Sequence, residues 1–258
     1  MPSLKDGGLN VRNPTDVHAK PALEVTGLTR SYRDGGGLRD ACFTVMPGEY
    51  VVLLGPSGAG KSTLINLIAG IHRPSAGTIS IQGEDVTRTA PGNRSVGIVL
   101  QDFPLYDHLS AYTNVEMSTS SLRMPNEERT QRVQDALKAV AAEELAQQKA
   151  RTFSGGERAK VAVARVLARR PKVVLLDEPY SSLDHIQRRP LRTLVRDRLK
   201  AIDAAVIHVT HSPREAFEIA DRVGVLVDGR IRQIDTVERI RAEPIDDVVA
   251  AMLDPDSD

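Results

Sequence analysis

The chain has 258 residues, and its 34 lysines and arginines balance 34 aspartates and glutamates, giving a formal net charge of zero. That balance gives no electrostatic basis for nucleic acid as the main partner, and aromatics at 3% with no tryptophan supply no base-stacking platform. A 41% hydrophobic content suits a globular domain, no stretch approaches the roughly 18 apolar residues of a membrane span, and the single cysteine excludes an internal disulfide.

Residues 1–20 lack periodicity and read as a loose polar tail without the apolar run of a secretory signal, so a cytoplasmic location is expected. Alternation over 23–28 predicts a strand, 34–37 a glycine turn, and 38–45 a second strand. Cys42 in that second strand reads as a small buried hydrophobe rather than a reactive thiol. After the Pro47-Gly48 turn, the apolar run 50–54 reads as a buried strand, and 63–69 as a helix. Residues 78–81 form a strand closed by a turn at 82–84, and 96–100 a buried strand ending at Gln101.

From about 103 to 170 the pattern is largely helical. Asn126 can cap a helix with Glu127 and Glu128 in its first turn and Val133, Leu137 and Val140 on one face. Strand-type runs return at 173–176, 205–209 and 223–227, and Ser212-Pro213-Arg214-Glu215 has the form of a capping box. Arginine runs at 168–172 and 187–190 read as solvated helix faces. Strands alternating with helices predict an α/β fold with a mostly parallel sheet, interrupted by a helical insertion.

Between the strand 50–54 and the helix 63–69 stands Gly55-Pro56-Ser57-Gly58-Ala59-Gly60-Lys61-Ser62, which matches G-x-x-x-x-G-K-[ST]. Backbone N–H groups of such a turn converge on phosphate oxygens, and the helix dipole favours the negative charge. Gly55, Gly58 and Gly60 allow a curl that a Cβ would obstruct. Lys61 is placed to reach the β- and γ-phosphates and Ser62 to ligate Mg²⁺. The run 173–176 leads into Asp177, placed to hold Mg²⁺ through water, and Glu178, placed to polarise an attacking water. Taken alone, those two residues also read as a strand ending in solvated acids. Ser154-Gly155-Gly156 opens a helix running through Val161, Val163, Ala164 and Leu167, a second anion site. One nucleotide does not need two such sites on one chain, so this one is expected to serve another subunit's nucleotide.

With these motifs in this order, from about Ala22 to Leu253, the chain resembles the nucleotide-binding subunits of ATP-binding cassette (ABC) transporters. The resemblance implies a P-loop NTPase, RecA-like core, an N-terminal antiparallel β-subdomain and an inserted α-helical subdomain. One ATPase domain would cover 21–258, with 21–102 and 166–258 as core and 103–165 as the helical part. ATP and Mg²⁺ are the implied cofactors. The nucleotide would be held by Gly55, Pro56, Ser57, Gly58, Ala59, Gly60, Lys61, Ser62 and Thr63, with Tyr32 stacked on adenine. Tyr32 also reads as an ordinary strand residue.

Ser154, Gly155 and Gly156 look like the signature motif, and Ser182-Leu183-Asp184 like the D-loop, with Asp184 at the dimer seam. Gln101 looks like the glutamine that touches Mg²⁺ and the attacking water, His211 like the histidine contacting the γ-phosphate, and Glu178 like the catalytic base. The implied catalytic set is Glu178, His211, Gln101 and Lys61, and the implied metal set Ser62, Gln101 and Asp177. His18, His72, His108, His185 and His208 match no motif and are assigned nothing.

The family works as head-to-tail dimers, each ATP held between one copy's phosphate loop and the other's signature helix. The implied partners are therefore a second copy of the chain and transmembrane permease subunits. The implied location is cytoplasmic, on the inner face of the cell membrane, with membrane contact only through partners and no nucleic acid. Residues 87–97, 101–109 and 238–244 look like the importer branch for sugars and polyamines. Many members of that branch carry a C-terminal regulatory domain; the sequence stops where it would begin, so feedback through it is not expected. Phe153 stands where the signature usually has Leu, Glu157 where it usually has Gln, and 114–119 is more polar than usual at the surface that meets the membrane partner. The alternatives are a soluble ABC ATPase of iron–sulfur cofactor assembly and an exporter ATPase subunit.

Overall fold

A computed structural model describes residues 20–32, 35–181, 183 and 185–255. The expected tail up to residue 19, Asp34, Ser182 and Asp184 lie outside the described residues. The first half of the chain gives β1 (Leu23–Ser31), β2 (Gly37–Val45), β3 (Tyr50–Leu54), α1 (Lys61–Ala69), β4 (Ala76–Ile81), β5 (Glu84–Asp85) and β6 (Val96–Val99). Helices α2 (Ala111–Met117), α3 (Asn126–Ala139) and α4 (Gly155–Arg169) follow, then β7 (Val173–Asp177), α5 (His185–Ala201), β8 (Ala205–Thr210) and α6 (Pro213–Ile219). The chain closes with β9 (Arg222–Val227), β10 (Arg230–Thr236), α7 (Val237–Ala242) and α8 (Asp247–Met252).

Two sheets result. A four-stranded antiparallel sheet has the order β2-β1-β4-β5, and a six-stranded sheet the order β10-β9-β3-β8-β7-β6. In the larger sheet β3 lies parallel between β8 and β9, with Leu53 opposite both Val209 and Gly224. Side chains alternate across it as a pleat demands. Tyr50, Val52 and Leu54 join Val174, Leu176 and the helices α4 and α5 in one core. Val51 and Leu53 join Leu175, α1 and the small sheet in the other. Both faces are covered, which is why these strands read as continuous apolar runs.

The turn at 82–84 was expected, but the strands β5 and β10, each formed by a hairpin, were not. Asp228-Gly229, at φ 51° and 75°, turns β9 into the antiparallel edge strand β10, and Gln82-Gly83, at φ 52° and 83°, turns β4 into β5. Both turns need two residues in the left-handed region, the hairpin geometry that Asp-Gly supplies.

Several expectations change. Cys42 is exposed, because it sits on the outward face of β2; its Sγ accepts the Gly27 N–H at 3.1 Å. Asn126 is the first residue of α3, preceded by Pro125, and makes no capping hydrogen bond, although Val133, Leu137 and Val140 do bury one face. In the polar stretch 114–119, Asn114 and Thr119 turn inward while Met117 stays exposed. Asn114 is fully buried, accepts the Tyr106 N–H at 2.8 Å and donates to the Tyr106 and Ser110 carbonyls, while Ser118 donates to the Arg165 carbonyl. Arg169 is a clasp rather than a solvated face: its guanidinium reaches Ser121 and the Gly92 carbonyl, joining the helical insertion to the core. Buried Arg94 donates to the Leu67 and Ile68 carbonyls at the end of α1.

His208, at the centre of β8, is fully buried against the rings of Tyr50 and Tyr180. Burial, then the positive charge of Arg192, lowers its pKa from 6.5 to about 3, against a smaller pull from Glu178. Between those values the unfolded chain binds a proton that the native ring refuses, so His208 costs stability as pH falls. Nearby Glu215, whose pKa burial raises, acts in the opposite sense. His208→Phe is expected to lose less thermal stability than the parent between about pH 7 and pH 4; identical melting-temperature profiles would refute this.

Candidate active site

The loop 55–60 leaves β3 and winds into α1 as sterics require. A Cβ at Gly55 would stand 2.3 Å from the Leu226 carbonyl oxygen, and one at Gly60, which has φ 104°, 2.6 Å from that of Gly37. Gly58 differs from expectation, since a Cβ there would meet nothing within 4 Å; its φ of 82° is what favours glycine. Gly60 caps α1 without a side-chain bond, and the first turn of α1 carries no acid. The N-terminal dipole is therefore left for an anion.

Lys61 is buried and folds back over the loop, donating to the Gly55 carbonyl at 2.6 Å and the Pro56 carbonyl at 3.1 Å. Its Nζ lies 3.6 Å from Glu178 Oε1. The other Glu178 oxygen lies 3.2 Å from Nδ1 of His211, whose side chain is 56% exposed. Glu178 itself has φ 44°, and its N–H donates to the Val209 carbonyl at 3.0 Å, so its backbone is tied to β8. Asp177 stands one residue earlier, near the Ser62 hydroxyl. Burial, then the charge of Glu178, pushes the Asp177 carboxyl above its usual range, against the pull of Ser62 and Lys61.

A cleft of about 390 Å³ opens over this floor, lined by Tyr32, Gly37, Pro56 to Thr63 and Glu178. Tyr32 is half-buried at its edge, with the Arg30 guanidinium 5.4 Å above the ring and His72 edge-on at 6.3 Å. Gln101 is exposed just beyond β6; Val99 pairs with Leu176, which places Gln101 beside the strand end that bears Asp177.

The structure does not bring the signature residues to this cleft. Ser154 caps α4, which packs among the helices, and Ser154, Gly155 and Gly156 are absent from the cleft's described lining. Glu157 closes a capping box with Ser154, one not anticipated from the sequence. Its carboxylate accepts the Ser154 N–H and hydroxyl at 2.8 Å each, and Ser154 Oγ accepts the Glu157 N–H at 3.3 Å. The expected box at 212–215 does not form: Ser212 caps α6 without a side-chain bond, because Glu215 turns to Thr210 instead. Arg188, expected on a solvated face, donates to the Leu183 and Ser181 carbonyls and so ties down the loop after Glu178. No sequence motif pointed to that role.

The phosphate loop, the acids closing β7 and the parallel sheet define a P-loop nucleotide-binding protein. The family profile described as "ABC transporter" matches residues 38–181. The chain is 38% identical over 233 residues to the spermidine/putrescine import ATP-binding protein PotA of Legionella pneumophila (strain Lens), covering 90% of this chain and 64% of that one. It is 37% identical over 231 residues to the molybdate/tungstate import ATP-binding protein WtpC of Pyrococcus abyssi (strain GE5 / Orsay), covering 90% and 67%. Among solved structures, CbiO1 of Clostridium perfringens, part of the ABC transporter complex CbiONQ, superposes with a TM-score of 0.78 at 31% identity over 86% of this chain and 91% of that one. A dimeric ATP-binding cassette in a post-hydrolysis state with ADP and Pi gives 0.72 at 29% identity, over 83% and 98%. The chain belongs to the ABC transporter family and has its ATPase-domain fold. It spans 64% of the length of the PotA relative.

Lys61→Ala would leave Asp177 and Glu178 facing the phosphates uncompensated. Affinity for ATP and ADP is expected to fall about tenfold or more; an unchanged dissociation constant in a nucleotide titration would exclude the role given to Lys61.

Proposed function

We propose that the chain is the ATP-hydrolysing subunit of an ABC importer, acting as a head-to-tail pair on separate transmembrane permeases. The observation that carries this reading is the Glu178 carboxylate, held between Lys61 at 3.6 Å and His211 at 3.2 Å on the floor of the phosphate cleft. A triphosphate on the loop would take Lys61 as its counter-ion, leaving Glu178 to accept the proton of an attacking water and His211 to meet the γ-phosphate. Tyr32 offers a ring face to adenine at the cleft's edge. Ser62 and Asp177 fit Mg²⁺: a hydroxyl and one carboxylate near each other, with the remaining positions left to phosphate oxygens and water. Bound there, Mg²⁺ would neutralise charge on the phosphates. Gln101, beside Asp177, is assigned to the same metal and the attacking water.

A single ATPase domain over 21–258 is incomplete for this chemistry, because the signature helix in segment 103–165 does not face its own chain's cleft. A second copy would bring Ser154, Gly155 and Gly156 over the phosphates, with Asp184 at the seam. The solved relative with ADP and Pi is a dimer. ATP shared between two copies binds the closed pair better than the open one, the differential affinity a switch requires.

Coupling to a membrane partner fits a groove of about 800 Å³ between β6 and α4, whose lining includes Leu100, Phe103, Pro104, Tyr106 and Val166. Leu100 and Tyr106 are 40% and 44% exposed there, an apolar seat for a partner helix. Among the described residues no helix is long and apolar enough to cross a membrane, so membrane contact is assigned to the permeases, at the inner face. Relatives named for polyamine and for oxyanion import stand at nearly the same identity, 38% and 37%. On this reading solute choice lies with other subunits.

Glu178→Gln should lower turnover by about 10²-fold or more and leave an ATP-bound dimer on size exclusion. Parental turnover in this variant would remove Glu178 from the base role. Tyr106→Glu should weaken co-purification with the permeases from detergent-solubilised membranes, while the chain's own ATPase rate stays as it was. Undiminished co-purification would rule out the groove as the docking seat.

A further inference from the structure

Behind the catalytic floor lies a buried polar cluster that the proposed chemistry does not use. Glu215, on α6, is 7% exposed, and its Oε2 accepts the Thr210 hydroxyl at 2.7 Å. Thr210 Oγ1 in turn accepts the Ser212 N–H at 3.2 Å. Those two bonds grip the chain on either side of His211, the residue whose imidazole meets Glu178. The second oxygen of Glu215 faces His208 Nε2 at 3.8 Å, and His208 Nδ1 is 3.1 Å from the Tyr50 hydroxyl. If Tyr50 donates to Nδ1, the ring's proton stands on Nε2, toward Glu215. Tyr180, two residues past Glu178, packs edge-on against the same imidazole at 5.6 Å. The cluster thus spans β3, β8, α6 and the loop after β7.

A carboxylate is costly to bury unless its hydrogen bonds do something for the fold. Burial raises the Glu215 pKa, and the Thr210 hydrogen bond and Arg192 oppose the rise. Exposed imidazoles ordinarily sample several rotamers; His211 is more than half exposed, yet its backbone is held from beneath by two bonds on one buried threonine. We propose that Glu215 and Thr210 are positioning residues that hold the His211 loop so that its imidazole meets Glu178 and the γ-phosphate side of the cleft. This rests on the roles given above to Glu178 and His211. The consequence is specific: loosening the lock should slow chemistry without loosening nucleotide binding, because the bonds joining Glu215, Thr210 and Ser212 involve neither Lys61 nor the phosphate loop.

The test is a steady-state and double-variant study of the full chain's Mg-ATPase activity. Thr210→Val leaves a buried carboxylate without its donor and can unfold the chain. Thr210→Val combined with Glu215→Met removes both partners and is nearly neutral in stability. That pair should keep the KM for ATP and the dissociation constant for ADP, while kcat falls about tenfold or more. Thr210→Ser, which keeps the hydroxyl, should restore kcat. In a His211→Ala background the pair should change kcat by less than about twofold, since the lock acts only through that histidine. Parental kcat in the Thr210→Val/Glu215→Met variant, or an equal loss with and without His211, would overturn the inference and leave the proposed function standing. Parental turnover in His211→Ala alone would instead remove the γ-phosphate role of His211, and the inference with it.

Discussion

Because β6, β7, β8, β3 and β9 run parallel, their carboxyl ends stand in one row, and the cleft takes its chemistry from that row. β3 delivers the phosphate loop, β7 Asp177 and Glu178, β8 His211, and β6 Gln101. The register does the aligning: Leu54 pairs with Thr210, and Asp177 with Val209, so Glu178 and His211 leave neighbouring strands at nearly the same level. That register sets their backbones close enough for the 3.2 Å approach of their side chains. A slip by one residue would turn every core side chain to the wrong face, and the two packed cores oppose that.

With the strands fixed, arginines hold the rest in place by binding carbonyls more than acids. Arg94 binds the carbonyls closing α1 as well as those of Thr87 and Thr89. Arg169 ties the helical insertion to Gly92, and Arg165 reaches the Pro104 carbonyl. Arg158 joins the Ala150 carbonyl to Asp107. A guanidinium offers five donors in a planar fork, which suits the orphan carbonyls of helix ends and loops. These contacts explain how a chain with no net charge places so many cations at the joints of its fold.

Where the sequence carries a local rule, it was readable. The phosphate loop, its flanking strand and helix, and the apolar runs of β3, β7, β8 and β9 rest on sterics and periodicity within a few residues. Asp228-Gly229 also carried a hairpin rule, but the polar alternation of β10 hid the strand that follows. Cys42 is exposed because it shares the outer face of β2 with Thr44, opposite Ala41, Phe43 and Val45; the alternation carried that signal, and the small-hydrophobe reading overrode it. Other features answered to contacts from far along the chain. Ser212 and Glu215 have box spacing, but a buried threonine two residues upstream takes the carboxylate. His208 matched no motif; its surroundings come from β3, α6 and the loop after β7, joined only by the fold.

The signature helix shows how the same local rule cuts two ways. Ser154 and Glu157 satisfy each other, so the helix end is well capped within one chain, and Glu157's negative charge is spent on the Ser154 N–H and hydroxyl. The remaining first-turn N–H groups of α4 have no acceptor within the helix by geometry alone. On the proposed reading a phosphate from a second copy meets those groups, and the Ser154 hydroxyl must choose between that phosphate and Glu157. A glutamine at 157 would offer Ser154 a neutral acceptor and let go more readily. On that reading the carboxylate holds Ser154 in the separate chain and opposes closure of the pair, at a site far from the residues that break the bond.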